Sequence, residues 1–166
     1  EFSKFFYKKK NYLKAIKYAN IEVKKYESAP LINKDYINSL YNIAFFHYKQ
    51  ELYDKAVTYY KKIIALNLDK EKTAQTYCEI GRILNRLGNY YESIVFYEQG
   101  INLLEAQKRH SVLFSKYINL AIVYRNIESK NALGKSLFYL EKAKKSSNLF
   151  NLKYNHYYEM NRANHL

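Results

Sequence analysis

Residues 87–100 read LGNYYESIVFYEQG. Small Ser93 and Gly100 stand seven residues apart, two helical turns, with bulky Tyr97 between them on the same face. A face that alternates small residues with an aromatic is suited to close contact with a second helix. Gly88 is placed to supply a left-handed cap that ends the preceding helix, and Asn89 follows as the expected cap of the next. The stretch therefore reads as the joint of a helical hairpin, with Ser93 and Gly100 as contact points and Tyr97 as a knob filling the groove towards a further hairpin.

Composition agrees with a chain of helices. One Pro and four Gly in 166 residues leave few turn formers for a multi-stranded sheet. Twenty Tyr without a Trp, beside plentiful Lys, Asn and Ile, is also what an A/T-rich genome produces. Net charge is +13, from 28 Lys and Arg against 15 Asp and Glu, which favours acidic or polyanionic partners through long-range steering. The cations are dispersed through YKKKN, VKKYE, YKKII and EKAKKSS, a pattern closer to solvated helix faces than to one nucleic-acid stripe.

Cys78 is the single cysteine, so no intramolecular disulfide forms. His47, His110, His156 and His165 have no ligand-like spacing with it, and no metal site or cofactor is expected. No apolar run approaches a membrane span and no signal-peptide pattern opens the chain, which points to a cytoplasmic protein with no membrane partner. The chain opens without Met in the middle of a helical pattern and closes in another, so it reads as a piece of a longer protein.

Apolar residues recur at three and four spacing in YINSLYNIAFFHY, AVTYYKKIIAL, TYCEIGRILNRL, ESIVFYEQGINLL, KYINLAIVYRNI and KSLFYLEKAKK. These six helices come in pairs. Short polar turns such as KQELYD and RLGNY are expected inside a pair, and longer polar links such as NLDKEKTA and EAQKRHSV between pairs. Pro30 is placed to stop the helix before it. Ala15, Ala56, Ser93 and Ser136 each fall early in a second helix, at spacings of 41, 37 and 43 residues, within the range of a solenoid repeat. Ala44 and Gly81 precede their partners by 12 residues and Ala121 by 15, so the turn ESKNALGK carries about three extra residues.

In these positions the sequence resembles the tetratricopeptide repeat family. One repeat carries Ile43, Ala44, Tyr53, Ala56 and Tyr60. The next carries Tyr77, Ile80, Gly81, Leu84, Gly88, Asn89, Tyr90, Ser93, Tyr97 and Gly100. A third shows Tyr117, Leu120, Ala121, Tyr124, Ser136, Leu140 and Ala143, while the first pair matches only through Phe6, Tyr12 and Ala15. The resemblance implies an all-α fold, a right-handed α-solenoid of antiparallel helix pairs. It has about three full repeats and partial repeats at both ends, in one domain spanning 1–166 (repeats near 1–29, 33–69, 71–107 and 111–147, with a partial repeat at 149–166). The long repeats are similar to those of the peptide-sensing regulators of Gram-positive bacteria.

A solenoid of this family binds on its concave face, lined by first helices. Projecting the family pattern places Asn38, Tyr41, Asn42, Phe45, Tyr48, Arg82, Asn85, Arg86, Asn119, Arg125 and Asn126 there as peptide-binding candidates. Asn both donates and accepts, so a column of them can hold the backbone of an extended peptide, and interleaved Arg can hold a carboxylate. Each has a plainer reading: solvated surface for Asn42 and Asn119, inter-repeat packing for Tyr41, Phe45 and Tyr48, and pairing with Glu79 for Arg82 or Arg86. The carboxylate clamp of chaperone-binding relatives is incomplete, since Gln75 and Glu79 occupy places where that pattern needs Lys and Arg.

No nucleophile elbow, phosphate-cradling loop or paired carboxylates are present, so the chain is read as no enzyme. The expected partner is a peptide or protein, and the module could be the sensor of a peptide-responsive transcription regulator acting in quorum sensing. A nucleic-acid-associated basic domain and a scaffold that self-associates through its solenoid ends stand as alternatives, with direct nucleic-acid contact through this domain not expected.

Overall fold

The computed structural model describes residues 2–28 and 32–149, with side chains through Ser146. Eight α-helices and no strand occur among the described residues: α1 Phe2–Lys8, α2 Tyr12–Ser28, α3 Lys34–Lys49, α4 Tyr53–Leu66, α5 Lys70–Arg86, α6 Tyr90–Ala106, α7 His110–Arg125 and α8 Lys130–Leu149. They pack as antiparallel pairs, the all-α, solenoid-type fold expected from the repeat register. Pro30 and the expected partial repeat beyond Leu149 lie outside the described residues. The chain forms two compact units that divide inside α5, the first ending at Thr76 and the second beginning at Tyr77.

The turns depart from expectation. Two links between pairs are no longer than turns within them: α4 to α5 takes residues 67–69 and α6 to α7 takes residues 107–109, three each, the same as 50–52 and 87–89. The polar residues of NLDKEKTA and EAQKRHSV are largely absorbed into helix, because Lys, Glu and Gln are good helix formers. Of the three extra residues in ESKNALGK, most lengthen the start of α8, where Ser136 is the seventh residue against the fourth for Ser93 in α6. Several turns are sharpened by a left-handed residue: Lys10, Glu51, Gly88, Lys108 and Glu128, with φ of 57°, 60°, 79°, 53° and 52°. At Gly88, the amide of Asn89 bonds the Leu84 carbonyl (2.9 Å) and that of Gly88 the Asn85 carbonyl (3.2 Å), the double closure of a glycine helix cap. Asn89 does not play its expected part: it is the N-cap residue of α6, but its side chain makes no capping bond. Asn33 does so for α3, accepting from the amides of Asp35 and Tyr36, each at 3.0 Å.

The small residues bring the paired helices together. In the second unit, Ser93 Oγ donates to the Gly81 carbonyl (2.6 Å) and Ser136 Oγ to the Ala121 carbonyl (2.7 Å), both buried. Each bond satisfies a buried hydroxyl on the neighbouring backbone. The ring of Tyr97, the expected knob, lies over Gly81 of its own pair, so the aromatic seals the hairpin. In the first unit, Ala15, Ala44 and Ala56 are fully buried in the same register, and Ser3, 12 residues before Ala15, is buried as well.

Candidate functional site

The second unit brings its two first helices together by a polar row. From α5, Glu79 is ion-paired to Arg82 one turn on, and Lys116 of α7 approaches Glu79 at 3.6 Å. Further along both helices Asn126 Nδ2 donates to Asn85 Oδ1 at 3.1 Å. Because both cross-links run in the same direction along the two helices, α5 and α7 lie parallel. Successive residues advance about 100° around a helix, which puts Glu79, Arg82, Asn85 and Arg86 on one arc of α5. The same count puts Lys116, Asn119, Ile122 and Asn126 on one arc of α7. Ser115 and Ile122 are the neutral spacers there. Arg125, about 60° from Ile122, stands at the edge of that arc and is half-buried.

Of the sequence candidates, Arg82, Asn85, Asn119 and Asn126 are thus half-buried along a common row, and Arg86 extends it into solvent. Arg82 meets Glu79, the plainer reading of that pair. Sequence reading missed Lys116 and undervalued Glu79, which is only 7% exposed. A signal was present: Lys116 stands three residues before Asn119 and ten before Asn126, in the same helical row. One carboxylate among Arg82, Arg86 and Lys116 leaves the row net positive, a field that attracts a carboxylate ligand.

In the first unit, α3 buries most of its surface and leaves one arc open, which carries Asn38, Tyr41, Asn42 and Phe45. Tyr41 packs against Tyr60 (ring centroids 5.5 Å apart), and Lys72 Nζ sits 4.5 Å from its ring. Phe45 meets Tyr7 of α1 edge-on at 5.4 Å and Tyr48 at 6.5 Å, with Lys49 over both rings. Tyr48 is 6% exposed and belongs to the packing, as the plainer reading has it. These aromatic contacts join α1, α3 and α4; on the open arc Asn38 is exposed and Tyr41, Asn42 and Phe45 are half-buried.

A second network went unread in the sequence. Glu98 of α6 accepts from the hydroxyls of Tyr124 (3.0 Å) and Tyr139 (3.2 Å). Two turns on, Glu105 accepts from Tyr117 (2.5 Å) and from Lys142 Nζ (2.9 Å). Tyr139 stacks on both Tyr117 and Tyr124, at 6.2 and 5.7 Å. Burial, and then Glu98, push the Tyr124 hydroxyl up to about 12; Tyr117 and Tyr139 are raised further for the same kinds of reason. Burial would raise the Glu105 carboxyl, but its bonds from Tyr117 and Lys142 outweigh that and hold it below its ordinary value. The seven-residue spacings Glu98 to Glu105 and Tyr117 to Tyr124 were the available signal. The network ties α6 to α7 and α8.

Among the described residues no three His, Cys, Asp or Glu side chains gather as a metal set, and no helix is long and apolar enough to cross a membrane.

The tetratricopeptide repeat family model matches residues 35–106, from α3 to the end of α6. Among solved structures, BtubC (BKLC) from P. vanneervenii matches with a TM-score of 0.78 at 16% identity, over 89% of this chain and 60% of its own length. The chain thus spans less than two thirds of that protein. A putative kinesin light chain from Podosopora anserina with nearly identical TPR-like repeats matches at 0.71 and 15% identity, covering 89% and 72% of the two chains. The TPR2AB domain of yeast Sti1, solved as a pHSP90 complex, gives 0.51 and 14% over 90% and 76%. At these identities the likeness is one of fold. No curated protein matches the sequence.

Proposed function

We infer, from the match of residues 35–106 to the tetratricopeptide repeat family, that the chain is a protein-binding module whose first-helix surface on α5 and α7 takes an extended acidic peptide. The observation that carries the reading is the parallel α5/α7 row, in which Asn85 and Asn126 are already linked to each other and Arg82 and Lys116 share Glu79. An incoming carboxylate replaces or supplements Glu79 as partner of those cations, and the Asn side chains and Asn119 offer both donors and acceptors to a peptide backbone. The role is binding and not catalysis. Solved as a pHSP90 complex, the Sti1 domain supports a protein-binding use of the fold.

The narrower role, the sensor module of a peptide-responsive transcription regulator, rests on repeat spacing alone. Fluorescence polarisation with a labelled Glu/Ala decapeptide tests the binding role. Binding that weakens about tenfold or more in Arg82→Glu, without loss of helical signal, supports it; an affinity that is equal in wild type and variant contradicts it.

A further inference from the structure

The first unit gathers its lysines where the sequence alone had them scattered. Residues 1–76 contain 15 lysines and no arginine. On α2, the solvent-facing arc of about 120° holds Lys14, Lys17, Lys24 and Lys25 and not one acid. The carboxylates of α2 lie off that arc: Glu22 accepts from Ser3 Oγ (3.3 Å) and Glu27 from the Tyr36 hydroxyl (3.2 Å). On α4 the outward arc holds Lys55, Lys61 and Lys62, against Asp54 in its first turn. The two helices meet where the Tyr59 hydroxyl reaches Asn20 Oδ1 at 3.5 Å. Seven lysines therefore share one outer surface, on the second helices and away from the α3 arc described above. Compositional bias alone does not produce this, since α6, the second helix of the next pair, contains no Lys or Arg.

Two apolar side chains lie among these cations. Leu13 is 75% exposed and Ile21 54% exposed, both on the lysine arc of α2. A nucleic-acid backbone gains nothing from aliphatic side chains. Base readout relies on forked Arg and on Asn or Gln, and single strands need open aromatic faces to stack on. The α2 arc has none of these. A lipid surface uses both of its components: aliphatic groups enter the boundary between headgroups and acyl chains, and lysines meet anionic headgroups.

We propose that the outer face of α2 and α4 docks peripherally on an anionic membrane surface, lysines against headgroup phosphate and carboxylate, with Leu13 and Ile21 inserted between them. This needs no spanning segment, so it is compatible with the absence of one among the described helices.

Flotation of the purified chain with phosphatidylcholine vesicles, with and without phosphatidylserine, tests the proposal, with a duplex DNA of random sequence as competitor. The expected result is binding only to the serine-lipid vesicles and weakening as salt rises. Each lysine removed should cost roughly fivefold in affinity. The double variant Lys17→Glu/Lys24→Glu should lose vesicle binding, while Lys144→Glu/Lys145→Glu on α8, with the same change in net charge, should keep it. Leu13→Ser/Ile21→Ser should weaken binding at every salt concentration. All these positions are exposed, and unchanged circular dichroism checks the fold. Equal loss in the two charge-reversed variants would reduce the effect to net charge and overturn the proposal. So would indifference to the serine lipid, or displacement from the vesicles by the duplex.

Discussion

A Cβ placed on Gly81 would stand 2.8 Å from Cδ2 of Tyr97 and 3.1 Å from the Ser93 carbonyl oxygen. The contact is between helix backbone and a fully buried ring, and neither has room to retreat. Ala at position 81 gains about 1 kcal/mol in helix propensity but meets an overpacking cost of roughly 1 to 3 kcal/mol. Gly81→Ala should therefore leave the chain no more stable, and Gly81→Leu should destabilise it clearly. At Gly134, where a Cβ meets nothing within 4 Å, the same Gly→Ala change should stabilise by up to about 1 kcal/mol. Urea denaturation of the three variants checks the contrast.

Glu98 holds two tyrosines from two different helices. Glu98→Ala should cost about 1 to 3 kcal/mol, because it leaves half-buried Tyr124 and Tyr139 hydroxyls without their charged acceptor. The network also makes the second unit sensitive to alkali. The Tyr124 hydroxyl titrates near 10.0 when unfolded and near 12 when folded, so its stabilising effect is complete below pH 10 and is lost as pH rises through about 12. Stability measured from pH 8 to 11 should fall less steeply in Tyr124→Phe than in wild type, with the pH range set by that shift.

His47 is buried in α3, stacked on Tyr59 at 5.7 Å, and its Nδ1 has no hydrogen-bond partner. Burial first, and the charge of Lys55 second, lower its pKa below 6.5. A base whose folded pKa is depressed binds protons more readily when unfolded. Its contribution is therefore present above pH 6.5 and is lost as pH falls from there towards the folded value. His47→Phe should flatten the fall in melting temperature between about pH 7 and pH 5, the region where an unfolded His titrates.

Cys78 is 1% exposed, and burial pushes its thiol up to about 12 even though Lys116 pulls the other way. The thiolate is the reactive species, so iodoacetamide near pH 8 should leave native protein unmodified. Labelling should appear at the rate at which the second unit opens, and Glu98→Ala should accelerate it.

Much of the fold was legible because its determinants are local and repeat. Ala15, Ala56, Ser93 and Ser136 mark the close-packed position of each second helix, and Gly88 marks a cap that needs positive φ. Ser3 was equally legible, 12 residues before Ala15, but its pair lacks the aromatic and glycine signals that drew attention elsewhere. Link lengths were misjudged because polarity marks a turn only where the residues also disfavour helix, and Lys, Glu and Gln do not.

The candidate site was legible in part. Helical arithmetic placed Arg82, Asn85, Asn119 and Asn126 together, since their rows follow from spacing alone. Lys116 escaped because its role depends on Glu79, a residue 37 positions away. Tyr48 was named for its aromaticity, whereas its burial is set by the packing of α1, α3 and α4.

The most direct test of the binding role is the response of the side-chain amide signals of the asparagines to an acidic peptide, followed by nuclear magnetic resonance. The labelled Glu/Ala decapeptide should shift the amides of Asn85, Asn119 and Asn126 and leave that of Asn102, on the exposed face of α6, in place. Shifts confined to Asn102 and other residues off the α5/α7 row, with Asn85, Asn119 and Asn126 unmoved, would contradict it.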